Sequence, residues 1–138
     1  MWNEKQAQLI DRVCALGGVK HSANSVRHTG ALVVDGIAVS LLPGLTADAL
    51  RIIVQLGEIP ETLQLPVYRR MLELNLAIDR GHHQHLALDP ETGTALLAYE
   101  LRTDNAAAAL TSLQRAVACA TVWKQDYFLA SPAPEAVA

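Results

Sequence analysis

The sequence predicts an α+β domain in the order helix, three strands, helix, two strands, helix, with a twisted, largely antiparallel sheet. Three observations carry this. Asp35–Gly36 stands between the apolar runs "ALVV" and "IAVSLL", as the two-residue turn of a hairpin does. "DALRIIVQLGEIP" alternates cleanly, with Leu50, Ile52, Val54 and Leu56 on one side and Arg51, Ile53 and Gln55 on the other. Helical periodicity appears near the N-terminus, in the middle and toward the C-terminus.

The elements follow in order. "WNEKQAQLIDRVCALGG" is amphipathic, with Trp2, Leu9, Val13 and Leu16 on one face, Asn3 as N-cap and Gly17–Gly18 as the stop. "VKHSANSVRH" is polar and predicts a loop. The hairpin and the alternating third strand come next. Pro66 suits a first helical turn, so a helix runs from there to Ile78, with Gly81 beyond it. Val67, Met71, Leu74 and Ile78 form one stripe of that helix. Tyr68, Leu72, Asn75 and Leu76 widen it to an arc of about 200°, more than one sheet needs. The economical second partner is another copy of the chain. "HQHLALD" and "TALLAYELR" flank "PETG", a second hairpin. The last helix spans "DNAAAALTSLQRAVACATVWKQDYF", capped by Asp104 or Asn105, with Leu110, Leu113, Val117 and Thr121 on one stripe, joined by Ala106 and Ala120.

A chain of 138 residues suits one domain, placed at 1–129. The tail 130–138, "ASPAPEAVA", has two prolines and no periodicity and is expected to be disordered. Apolar residues make up 51% and aromatics only 4%, so Leu, Val, Ile and Ala must fill the core. The net charge of −3 gives no electrostatic footprint for nucleic acid. Cys14 and Cys119 are far apart and read as reduced, buried thiols, which fits a cytosolic protein. No signal peptide and no membrane-spanning run is expected.

The histidines invite a chemical reading. "GHHQHLALDPETG" holds His82, His83 and His85; in a strand the last two share a face and can chelate zinc or copper. A third ligand is missing from the motif, so surface or interface histidines are the expectation, with a His-dependent metalloprotein as the competing one. Phosphate-binding, dinucleotide and nucleophile-elbow signatures are absent. A set drawn from His21, Ser22 and Asp35 is the kind any chain offers. Arg69–Arg70 reads as a solvated helix face or an anion site. Trp123 and Tyr127 either close the end of the core or stack on a ligand. Neither a catalytic residue, a metal nor a cofactor is expected. The surplus of apolar surface favours a binding protein.

One segment goes further. "YRRMLELNLAIDRGHHQHLALDPETGTALLAYEL" resembles the core signature of the class I type III secretion chaperones, the CesT/Tir-chaperone-like family. A helix ends in Met71-Leu72-Glu73-Leu74-Asn75, a Leu-Leu-x-x-Asn-type motif, and a Gly-containing turn follows. The strand Leu86-Ala87-Leu88-Asp89, an acidic/Gly turn and Leu96-Leu97-Ala98-Tyr99 come next. "LGEIP", Leu56 to Pro60, resembles the family's link into the middle helix, and Trp123 matches a frequent aromatic of the last one. The departure is "GHHQH", where the family carries Gly and small or polar residues. The likeness covers roughly residues 3 to 128.

The resemblance implies a cytosolic bacterial homodimer without catalysis. It would hold an N-terminal stretch of a secreted effector in extended form, secretion-competent, with the secretion apparatus as a further partner. A disordered segment can bury side chains in several patches and add a strand to a sheet edge. On this basis Tyr68, Leu72, Asn75 and Leu76 are expected at the dimer contact. Leu9, Val13, Leu16, Leu32, Val34, Ile37 and Val39 serve either the effector surface or the ordinary core. If His83 or His85 lies between subunits, protonation near pH 6 would weaken the dimer by like-charge repulsion. A dimeric regulatory module of the same fold, unconnected to secretion, is the alternative role.

Overall fold

The structure, a computed structural model, describes residues 2–78, 84–102, 104–127 and 129. His82, His83 and the tail 130–138 lie outside these, so the expectations placed on them are not addressed by the fold.

Helix α1 spans Glu4–Cys14. Asn3 opens it with a capping box: its Oδ1 accepts the Gln6 N–H at 2.9 Å, and Gln6 Oε1 accepts the Asn3 N–H at 3.1 Å. The stop comes two residues before the first of the two glycines. Ala15, still right-handed, is the C-cap. Gly18 serves another purpose: a Cβ there would overlap the Asp35 carboxylate. Close passage of this strap lets Gly18 O accept the Asp35 N–H at 3.2 Å and lets Val19 bridge to Val34.

The predicted loop contains a second helix, α2, Ala23–Thr29. Ser22 caps it, and Gly30, at φ 72°, ends it in the left-handed conformation. Only Val26 of α2 is buried, which is too little for a periodic pattern. The Trp2 indole donates to the Arg27 carbonyl at 2.7 Å and ties α2 to the start of α1.

Strands β1 (Ala31–Val34) and β2 (Ile37–Pro43) meet at the predicted turn, with Asp35 at φ 51° and Gly36 at φ 82°. β3 is Ala49–Glu58, with a register shift between Gln55 and Gly57. A 3-10 turn, Glu61–Leu63, leads into α3, Gln64–Ile78. β4 (His85–Leu88) and β5 (Thr94–Arg102) flank a turn closed by the Asp89 N–H to the Thr94 carbonyl at 2.9 Å. α4 is Ala106–Tyr127, capped by Asn105, whose Oδ1 accepts the Ala108 N–H at 3.1 Å.

The sheet is antiparallel throughout, in the order β1-β2-β3-β5-β4. One transverse row, Leu32, Val39, Val54, Leu97 and Leu86, crosses all five strands and is buried along its whole length. Each such side chain contributes about 1.5–3 kcal/mol by leaving water. α4 packs on this face, mainly over β3. Its buried stripe is Ala109, Leu113, Ala116, Val117, Ala120 and Trp123. Leu110 is half-buried and Thr121 faces outward, so the stripe turns slightly from the predicted one. The alanines let helix and sheet approach closely.

Candidate functional site

The middle helix carries two apolar stripes. Val67 and Met71 are buried, and Leu74 is half-buried beside them. Leu65, Leu72 and Leu76 are 79%, 72% and 82% exposed, with Tyr68 half-buried among them. At about 100° per residue, the two stripes are centred roughly 140° apart around the helix. Arg69, Arg70 and Glu73 fill the remaining arc. Glu73 pairs with Arg69 at 3.2 Å and with Arg70 at 3.7 Å, which is the solvated face rather than an anion site.

Asn75 stands between the stripes, and its amide is occupied within its own chain. Its Oδ1 accepts the Leu86 N–H at 2.7 Å, and its Nδ2 donates to the Leu86 carbonyl at 3.0 Å. Leu86 pairs with Leu97 of β5 on its other side. Asn75 thus takes the place that a sixth strand would take at this residue. Of the four residues expected at the dimer contact, Leu72 and Leu76 are open, Tyr68 is half-open, and Asn75 holds the sheet edge.

The residues offered for effector patches sit elsewhere than on the surface. Leu9, Val13, Leu32, Val34, Ile37 and Val39 are each 1–3% exposed, within the helix–sheet core. Only Leu16 is half-buried. Strand parity explains the four on β1 and β2, which belong to the residue set on the covered sheet face, and Leu9 and Val13 are on the buried face of α1. The uncovered face carries Val33, Leu42 and Ile53, with Arg51 and Glu100 paired across it at 3.7 Å. His85 projects from that face opposite Ala98 and is exposed. Val33 and Leu42 are 36% and 42% exposed; Leu45, on the β2–β3 loop, is 86% exposed.

A groove of about 810 Å³ runs between α3 and β4 on one side and α4 on the other. Leu74, Leu86, Leu97 and Trp123 line it, with Arg115 and Cys119. Trp123 stacks on Tyr127, ring centres 5.1 Å apart. Trp123 is buried, so this pair closes one end of the core, and Trp123 also lines the groove. Desolvation pushes the Cys119 thiol above its ordinary value, against a smaller opposing effect of Trp123. A thiol held protonated is a poor nucleophile. The Ser22 hydroxyl accepts the Ser25 N–H at 3.1 Å and is spent on capping α2. Among the described residues no three His, Cys, Asp or Glu side chains gather as a metal site.

The sheet, the exposed helix stripe and the groove coincide with a family match. The profile of the Tir chaperone protein (CesT) family matches residues 13–124. This chain belongs to that family. Solved structures share the fold. A chain of the ExsC–ExsE complex superposes with a TM-score of 0.63 at 16% identity, over 88% of this chain and 92% of that one. A chain of the ExoT–SpcS complex from Pseudomonas aeruginosa gives 0.54 at 18% identity, over 86% and 97%. A chain of the HopA1–SchA chaperone–effector complex gives 0.55 at 14% identity, over 89% and 92%. No curated relative matches the chain. The CesT family match spans α2, all five strands, α3 and most of α4, so the exposed stripe of α3 and the groove both lie inside it.

Proposed function

We propose that this CesT-family chain works as a homodimer in the bacterial cytosol and holds an N-terminal segment of a type III secreted effector in extended form, without catalysis. One observation carries the reading: apolar side chains remain uncovered on a folded monomer. Leu65, Leu72 and Leu76 are 72–82% exposed, on a helix whose opposite stripe already fills the core. A ridge of this kind pairs with its own copy about a two-fold axis. It is about 16 Å long from Leu65 to Leu76.

The effector contact then falls on neighbours of the residues the sequence offered. Val33 and Leu42 lie on the uncovered sheet face, and the groove beside Trp123 accepts apolar side chains. For strand addition the β1 edge is the open one. Among the described residues, its outer side carries the Val19–Val34 bridge and a bond from the Ala31 N–H to the Thr29 hydroxyl at 3.2 Å, while Asn75 occupies Leu86 at the β4 edge. Relatives in this fold include a chaperone bound to an effector. No helix among the described residues is long and apolar enough to cross a membrane.

The test is native purification of the chain at its ordinary expression level, with mass spectrometry of what accompanies it. Recovery of a secreted protein, lost when Val33 and Leu42 become Asp, supports the proposal. Repeated purification free of any secreted protein would refute it.

A further inference from the structure

The lining of the groove beside α4 is uneven. Leu74, Leu86, Leu97 and Trp123 make it apolar, while Ser112 and Arg115 stand side by side on α4, about one turn apart. Arg115 is the one charged side chain among the described residues that line it. It makes no ion pair with any described residue. A cation beside an apolar groove with no carboxylate opposite complements a negative group brought in from outside.

Ser112 is backed from beneath. Tyr99 stands on β5 two residues from Leu97, on the covered face of the sheet, and is 1% exposed. Its hydroxyl has no partner in good hydrogen-bonding geometry among the described residues, and Ser112 is the side chain it interacts with. A serine hydroxyl offers one proton and two acceptor positions. Accepting from Tyr99 leaves the Ser112 proton for a group in the groove, and an acceptor there strengthens both bonds of the chain. Two donors one turn apart, one of them charged, fit a carboxylate. Trp123 lies eight residues beyond Arg115, about 12 Å along the helix. In an extended polypeptide, residues four apart point to the same side and stand about 13 Å from each other. Gln84, Asn105 and Thr111 add polar lining that suits peptide groups better than an acyl chain.

We propose that this groove selects an extended partner segment by one carboxylate, held by Arg115 and Ser112, with an apolar side chain four residues away against Trp123. The selection rests on the reading of the chain as a holder of extended segments, and adds which of them it takes at this place.

The probe is a synthetic Ser/Gly peptide with one central Glu and a Leu four residues to either side of it. The full chain labelled with 5-fluorotryptophan gives two fluorine resonances, from Trp2 and Trp123, assigned with Trp2→Phe. The peptide is expected to move the Trp123 resonance saturably and to leave that of Trp2, which reports an intact fold. Replacing its Glu by Gln should weaken binding several-fold. Ser112→Ala and Tyr99→Phe should each weaken the Glu peptide several-fold and leave the Gln peptide unchanged, whereas a loss of structure would weaken both alike. Arg115→Glu should prefer a peptide with Lys in place of Glu. A Trp123 resonance that ignores the Glu peptide, or answers the Glu and Gln forms alike, overturns the proposal. So does one that moves only with dodecanoate, which places a free amphiphile in the groove, or only with protein concentration, which places a second copy there. Native purification reads the holding of a segment separately: a failed peptide test beside a recovered secreted protein removes the carboxylate selection and leaves that reading standing.

Discussion

Asn75 and Leu86 meet as side-chain amide and peptide group, with bonds of 2.7 and 3.0 Å in opposite directions. The pairing fastens α3 to the outer edge of β4 and satisfies a backbone that would otherwise recruit another strand. Asn75→Leu leaves both Leu86 groups without their partner, in a part-buried setting. The expected loss is about 1–3 kcal/mol. It appears as a lower urea midpoint with an unchanged slope, and as faster amide exchange at Leu86.

Gly30 and Gly36 separate strain from collision. Both hold positive φ, 72° and 82°, where an L side chain costs about 1–2 kcal/mol. A Cβ on Gly36 meets open space, but one on Gly30 comes within 2.7 Å of the Leu41 carbonyl. That same carbonyl's residue donates its N–H to the Gly30 carbonyl at 2.7 Å. Gly30→Ala is therefore expected to lower the thermal midpoint distinctly more than Gly36→Ala.

Much of this fold was legible because its elements carry repeating signals. Asp35–Gly36 between apolar runs named the hairpin, and the alternation through Ile52 and Val54 named the face of β3. Helix α2 escaped because one buried valine makes no period, although Ser22 and Gly30 mark both its ends. The uncovered stripe of α3 was visible in the breadth of its apolar arc. The use of Asn75 was not, since its partner is a backbone group eleven residues away that only the crossing of α3 and β4 brings near. At the strands two readings stayed open, because alternation says that one face is apolar and not what covers it; in this sheet Leu32, Val34, Ile37 and Val39 face the core.

Tyr99 predicts an alkaline limit. Its hydroxyl is buried with no partner in good hydrogen-bonding geometry among the described residues. Burial pushes the phenol well above its ordinary value, with an interaction with Ser112 opposing. A group whose folded pKa is raised stabilises the fold fully below its unfolded value, and the stability drains away as pH climbs past it. For tyrosine that decline begins near 10.0. Cys14 and Cys119 are raised as well, from 9.0, and add to the drift. Tyr99→Phe is expected to be within about 1 kcal/mol of the parent at neutral pH. Between pH 9 and 11 its urea midpoint should fall less steeply than that of the parent.

The exposed stripe of α3 predicts the oligomer. Leu72→Glu and Leu76→Glu place charges at the centre of the proposed two-fold contact and touch no core residue. Sedimentation at micromolar concentration should give twice 14.9 kDa for the parent and 14.9 kDa for the double variant. Far-ultraviolet circular dichroism per residue should match between them.

An unfolded partner segment laid along a folded dimer is the feature from which the rest of the proposed function follows. It is read most directly by NMR of the partner's bound N-terminal segment, isotope-labelled in complex with unlabelled chain. The expected spectrum shows extended backbone shifts and contacts to Val33, Leu42 or the Trp123 groove, with no contacts between distant parts of the segment itself. A segment that is folded into its own globular core when bound, or that shows no contact with this chain, would contradict it.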